Sequence, residues 1–152
     1  MTISFQLDGV ALQAHTGETI LKAAQRHGVD IPHLCYTDGL RPDGNCRACV
    51  VEVAGERTLA PSCCRAVTTD MVVKAKSERA LKSQQLVLEL LLADRPAAGH
   101  KWVDGQPDQP HGELSQWAET MGVTVRPELQ ALRAPAPAPD LSHPAMAVNL
   151  DA

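Results

Sequence analysis

Apolar and polar residues alternate from the start of the chain. Ile3, Phe5 and Leu7 fall on one face of a first stretch, and Val10, Leu12 and Ala14 on one face of a second. This period of two predicts half-buried β-strands, and Asp8-Gly9 between them is a strong two-residue hairpin turn. The period then changes. Thr16 can cap a helix with Glu18 in its first turn, Ile20, Leu21 and Ala24 share one side, and Gly28 ends it. From Val29 to Ala48 the pattern is weak and broken by Pro32, Gly39, Pro42 and Gly44, which predicts a long loop. Cys49, Val51 and Val53 alternate as a strand, Gly55-Glu56 turns the chain, and Arg57 to Ala60 can pair back. A second loop over 61–70 leads to a last strand at Met71, Val73 and Ala75. Ser77 can then cap a helix running to about Ala93, with Leu81, Leu88, Leu91 and Leu92 at helical spacing and Val87 and Leu90 widening the stripe.

A hairpin followed by a helix that crosses it opens a β-grasp fold, so the predicted class is α+β. Residues 1–76 form the β-grasp domain, 77–94 a packing helix, and 95–152 a Pro-rich, loop-rich extension. Within the extension, 112–121 can form a short helix showing Leu114, Trp117 and Met121, with Gly122 at its end. Ala134 to Pro139 alternates Ala and Pro as a stiff spacer, and Leu141–Ala152 has little to bury. A domain below roughly 80 residues is marginal without a staple, and a metal cluster would supply one.

Charge and hydropathy remove several function classes. The 152 residues carry a net charge of −4. The nearest basic cluster, Lys74, Lys76, Arg79 and Lys82, is interrupted by Glu78 and reads as a solvated helix face, so no nucleic-acid partner is expected. No signal peptide is visible, and the longest apolar stretch, Leu86–Ala93, contains Glu89 and is too short to cross a bilayer. The expectation is a cytoplasmic chain with no membrane partner. Thiols stay reduced in that compartment, so the five cysteines point to metal or redox work rather than to disulfides.

Four of them have the spacing C-x10-C-x2-C-x13-C: Cys35, Cys46, Cys49 and Cys63. A [2Fe–2S] cluster takes four thiolates, two per iron. The C-x-x-C pair places two sulfurs together at a loop–strand junction, and the others arrive from separate segments. Gly39 and Gly44 let backbone N–H groups turn toward the sulfurs, where donors stabilise added negative charge, and Arg41 and Arg47 act at longer range. Spacing favours iron–sulfur over structural zinc, which usually has two short knuckles where this chain has one, and over unligated or disulfide-bonded cysteines. Cys64 reads as a small apolar side chain beside the site, with a substitute ligand as the alternative. His33 reads as a hydrogen-bonding loop residue, and His15 and His27 as surface or capping residues. His100, His111 and His143 have no cysteine near them, and Trp102 and Trp117 suit core or interface anchors. No GxSxG, phosphate-cradling Gly-rich loop, H-E-x-x-H or paired carboxylate arrangement is present.

The stretch IPHLCYTDGLRPDGNCRACVVEVAGERTLAPSCCR strongly resembles the N-terminal [2Fe–2S] domain shared by the large iron–sulfur subunit of complex I, iron-only hydrogenases and NAD-dependent formate dehydrogenases. GETILKAAQRHGVDIPHLCY and LVLELLLADRP fit the same group. LRPDGNCRACVVEV and APSCCR look most like the alpha subunit of a molybdenum- or tungsten-containing formate dehydrogenase, and SHPAMAVNLDA looks like its linker into a four-iron ferredoxin module. The resemblance covers nearly the whole chain and is most specific over residues 16–71. It implies one [2Fe–2S] cluster on Cys35, Cys46, Cys49 and Cys63, the distance from Cys63 to Met71 selecting Cys63 over Cys64. It further implies one-electron relay, with the remainder of a molybdopterin-containing alpha subunit and its flavin- and NADH-side subunits as partners. In many relatives a histidine and three cysteines after the packing helix hold a [4Fe–4S] cluster; here no cysteine follows His100, so that cluster is not expected. No formate site is expected in this chain. An NAD-linked hydrogenase or complex I relative is the alternative parent, and a zinc-stapled interaction module the alternative of another class.

Overall fold

The computed structural model describes residues 1–95, 112–132, 135 and 138–148. They fall into two compact units, Met1–Leu88 and Glu89–Ala152. The first is an α+β β-grasp domain. Strands β1 (Thr2–Leu7), β2 (Val10–His15), β3 (Val50–Val53), β4 (Ala60–Pro61) and β5 (Val72–Lys74) form one mixed sheet in the order β2-β1-β5-β3-β4. β1 pairs antiparallel with β2 and parallel with β5, and β3 lies antiparallel between β5 and β4. Phe5, Leu7, Ala14, Val51, Val53 and Val73 share one core with Ile20, Leu21, Ala23 and Ala24 of α1 (Ile20–Arg26). The alternation of each strand thus carries its apolar side onto the helix.

The hairpin turn adopts positive φ at both Asp8 (50°) and Gly9 (85°), as a two-residue turn between right-twisted strands requires. Asp8 also ties down the far end of the sheet, because its carboxylate accepts from the Ala75 and Lys76 N–H groups at 2.8 and 3.1 Å.

Helix α1 begins three residues later than the expected Thr16 cap. Thr16 is used otherwise: its N–H and hydroxyl both donate to the Met1 carbonyl, at 3.0 and 3.1 Å, closing the open end of the hairpin. Gly17 (φ 83°) turns the chain, and Glu18 accepts from His15 N–H at 2.7 Å rather than entering the helix. The cap is Thr19, whose Oγ1 accepts from Lys22 N–H at 3.4 Å. The helix ends as expected at left-handed Gly28 (φ 71°), with Val29 N–H reaching back to Ala24 O at 2.9 Å.

Helix α2 (Glu78–Asp94) starts at Ser77, whose Oγ accepts from Ala80 N–H at 3.2 Å. Its buried face differs from the expected leucine stripe. Ala80, Gln84 and Leu88, each four apart, are buried, whereas Leu90 is 55% and Leu91 38% exposed. Gln84 is inside because it completes the sheet. By the β3–β5 register Val50 would face Lys76, but the Lys76 N–H is committed to Asp8. Gln84 Nε2 donates to Val50 O at 2.8 Å instead, and to Ala75 O at 3.4 Å.

In the second unit, α3 (Glu113–Thr120) matches the expected short helix. It buries Ser115 and Ala118 most deeply, with Leu114, Trp117 and Met121 half-buried. Helix α4 (Pro127–Ala131), with Pro127 in its first turn, and a hairpin of β6 (Asp140–His143) and β7 (Met146–Val148) were not expected from the sequence pattern. The hairpin has no buried residue, so no alternation of burial marks it. Glu89 accepts from Arg126 through its Nε at 2.7 Å and its backbone N–H at 3.0 Å, and Arg95 donates to Ser115 Oγ at 2.8 Å. His100, Trp102, His111 and part of the Ala134–Pro139 spacer lie outside the described residues.

Replacing Gln84 by leucine tests whether the buried amide or mere apolar volume holds α2. Gln84→Leu is expected to lower stability by about 1–3 kcal/mol, the usual consequence of leaving buried carbonyls without a donor. A shifted denaturant midpoint of the full chain checks this.

Candidate metal centre

The five cysteines occupy two loops and the ends of two strands. Cys35 and Cys46 lie on the long loop between α1 and β3, Cys49 immediately precedes β3, and Cys63 and Cys64 follow β4. Cys49 and Cys63 are buried, Cys35 and Cys46 half-buried, and Cys64 exposed.

Strand pairing fixes the buried two. Val50 opposes Pro61 and Val51 opposes Ala60, and one step further Ser62 N–H donates to Cys49 O at 3.1 Å. The turn that carries Cys63 is also docked on the start of α1. Ile20 and Leu21 N–H groups, two of the unpaired donors that every helix N-terminus leaves, give to Arg65 O at 2.9 Å and Ser62 O at 3.0 Å. Val67 N–H returns to Glu18 O at 2.9 Å. The late start of α1 thus serves the cysteine turn.

The loop bearing the other pair is held by side chains. Ile31 is buried, and His33 Nδ1 donates to Ile31 O at 2.8 Å, in keeping with a loop role for this histidine. Tyr36 is buried edge-on to His33 and donates to Asp38 at 3.4 Å, while Asp38 pairs with Lys22 of α1 at 2.7 Å. Gly44 (φ 65°) and Arg47 (φ 59°) are both left-handed. At a non-glycine this conformation costs roughly 1–2 kcal/mol, and nothing in the amino-acid pattern singled out Arg47 for it. The resulting bend brings Cys46 N–H to Cys35 Sγ at 3.5 Å. Arg41 stays on the surface, 3.6 Å from Asp43.

The sulfurs gather in two places, Cys35 with Cys46, and Cys63 with buried Cys49 on one side and exposed Cys64 on the other. Burial pushes the Cys35 thiol up, but the N–H groups of Cys46 and Asn45 aimed at it outweigh burial and hold it below the ordinary thiol range. Burial raises Cys46, the Cys35 sulfur beside it acting in the same direction. Cys63 is raised strongly, first by burial and then by Cys49 and Cys64 next to it. Crowded, desolvated sulfurs resist becoming free thiolates, and bound metal cations relieve that resistance. Among the described residues no group of three or more His, Cys, Asp or Glu side chains is placed to hold a single metal ion. Cys35 with Cys46 and Cys49 with Cys63 give two sulfurs for each of two irons.

Comparison with known proteins bears on the same residues. The family described as 2Fe-2S iron-sulfur cluster binding domain matches residues 1–78. The chain belongs to this family. Its cofactor is a [2Fe–2S] cluster, and five cysteines suffice for one such four-thiolate group. The NADP-reducing hydrogenase subunit HndD of Solidesulfovibrio fructosivorans is 46% identical over 99 residues, covering 62% of this chain and 17% of the relative. An NADH-quinone oxidoreductase subunit of Mycobacterium bovis is 41% identical over 96 residues, covering 62% of this chain and 12% of the relative. This chain therefore spans only a small part of the length of these relatives. A chain in the crystal structure of an NAD+-reducing [NiFe]-hydrogenase superposes with a TM-score of 0.71 at 30% identity, covering 93% of this chain and 57% of that one.

Cys64 lies exposed beside the buried pair. Its Sγ lies 3.6 Å from Cys63 Sγ and 3.7 Å from Pro42 O, above the Cα of Gly44. A Cβ at position 44 would come within 2.9 Å of that sulfur. Cys64 thus joins the turn after β4 to the Cys46 loop by packing. Gly44→Ala is expected to speed cluster loss, followed as decay of visible absorption, and adding Cys64→Ala should recover part of the stability. The remaining deficit is the left-handed strain, which the second change leaves in place. Absence of any recovery would show that the sulfur contact is immaterial.

Proposed function

We propose that this chain relays single electrons through one [2Fe–2S] cluster held by Cys35, Cys46, Cys49 and Cys63. The observation that carries the reading is the pairing of the sulfurs: Cys35 with Cys46 on the loop, and Cys49 with Cys63 across the ends of β3 and β4. The cluster, when bound, supplies one-electron redox chemistry. The chain contributes four thiolates, backbone N–H groups that favour added negative charge, and a buried side that limits water around Cys49 and Cys63. Cys63 rather than Cys64 is the fourth ligand, supported by its burial beside Cys49, whereas the exposed Cys64 sulfur faces Pro42 and Gly44.

Iron and acid-labile sulfide should each be found at two per chain, with an EPR signal on reduction. Cys63→Ser is expected to abolish or badly perturb that signal, while Cys64→Ser leaves it nearly unchanged. The reverse pattern would move the ligand by one residue, and zinc without sulfide would favour the stapled module.

For the parent assembly, we read the chain as the N-terminal relay segment of an NAD-dependent formate dehydrogenase alpha subunit. It would lie between a metal–pterin site and the flavin that reduces NAD. The support is the resemblance of LRPDGNCRACVVEV and APSCCR to that subunit. Its partners would be the rest of that subunit and the flavin- and NADH-side subunits, in the cytoplasm. No helix of the described residues is long and apolar enough to cross a membrane. An NAD(P)-linked hydrogenase or complex I relative is a second reading, favoured by the similarity to the NADP-reducing hydrogenase and NADH-quinone oxidoreductase subunits. The native complex purified through this chain is expected to reduce NAD with formate. Reduction with dihydrogen and not formate would favour the hydrogenase.

A further inference from the structure

Ser62 sits between two of the proposed ligands and is completely buried. Its hydroxyl has no hydrogen-bond partner among the described residues. Its main chain is occupied on both sides, the N–H by Cys49 O at 3.1 Å and the carbonyl by Leu21 N–H at 3.0 Å, so the residue is held in place. The pairing of Val50 with Pro61 and of Val51 with Ala60 continues to Cys49 opposite Ser62. Directly opposed residues of an antiparallel pair point their side chains to the same face, about 4.5–5.5 Å apart at Cβ. Ser62 therefore shares a face with Cys49 and adjoins Cys63 in the chain. A buried hydroxyl without a partner is unfavourable and calls for an acceptor. Neutral thiols are weak acceptors, whereas thiolates and sulfides bound to iron carry negative charge and accept well.

We propose that the Ser62 hydroxyl donates a hydrogen bond to a sulfur of the bound cluster and thereby tunes its reduction potential. The inference rests on the ligand set proposed above. Ser62 is a tuning residue and not a ligand. An added electron increases the negative charge on the sulfurs and strengthens the bond, so the reduced state gains more than the oxidised state. The hydroxyl raises the potential.

Redox titration of the full chain with its cluster, followed by EPR, tests this. Ser62→Ala is expected to keep two irons and two sulfides per chain while reduction becomes about tenfold less favourable, equivalent to about 59 mV for one electron. Ser62→Thr, which keeps the hydroxyl, should stay near the wild-type midpoint. Pulsed EPR in deuterated water should show one exchangeable proton coupling fewer in Ser62→Ala. A fully loaded Ser62→Ala with unchanged midpoint and unchanged coupling overturns the proposal. If Ser62→Ala loses the cluster and Ser62→Thr holds it at the wild-type midpoint, the hydroxyl is confirmed by retention. If both lose it, packing rather than the hydroxyl governs the position and the proposal fails. A wild-type chain lacking iron and sulfide would instead overturn the ligand reading.

Discussion

Sulfurs buried side by side repel one another as thiolates, so burial and crowding keep them as neutral thiols until a cation binds. The raised Cys63 thiol, next to Cys49 and out of water, states that constraint most directly. The fold accepts it by fastening the two residues through backbone bonds that do not depend on the sulfurs. Cys49 O takes the Ser62 N–H, and the start of α1 takes the carbonyls of Ser62 and Arg65. Much of the β-grasp domain serves to hold that short junction. Asp8 secures the chain after β5, and Gln84 supplies the donor that β3 lacks where β5 ends.

The second pair is held on different terms. Cys35 and Cys46 lie on a loop without regular hydrogen bonding, secured by Ile31, Tyr36 and the Asp38–Lys22 ion pair. That ion pair is largely exposed, so its contribution to stability is small. Steric and conformational constraints matter more here. Left-handed Gly44 and Arg47 aim the N–H groups that lower the Cys35 thiol, and Cys64 rests on Gly44 where a side chain would intrude. A metal centre that binds all four sulfurs would tie this loop to the strand junction, which is how a cluster stabilises a small domain.

Strands β1 and β2, the Asp8-Gly9 turn and the helix end at Gly28 were legible in the sequence, because each rests on local rules of periodicity and backbone sterics. Cys35, Cys46 and Cys49 stood out as candidates by their spacing, whereas the preference for Cys63 over Cys64 came from the family resemblance. The start of α1 was misplaced because Thr16 and Glu18 are drawn into closing the hairpin, a contact between Met1 and Thr16 that no local signal reveals. The leucine stripe of α2 overstated its buried face. Hydrophobicity alone does not disclose that Val50 O needs a donor, which puts the polar Gln84 on the buried face of the helix.

By itself, then, the sequence determined the α+β class through its periodicity, and it named a candidate cysteine set and a [2Fe–2S] cofactor through spacing together with the family resemblance. Tertiary structure alone decided which sulfurs become neighbours, why Cys63 is buried while Cys64 is exposed, and that Ser62 carries a buried hydroxyl with no partner in the described chain. Those outcomes depend on strand register and on helix docking. Both bring together residues far apart in the chain, so no window of sequence contains them.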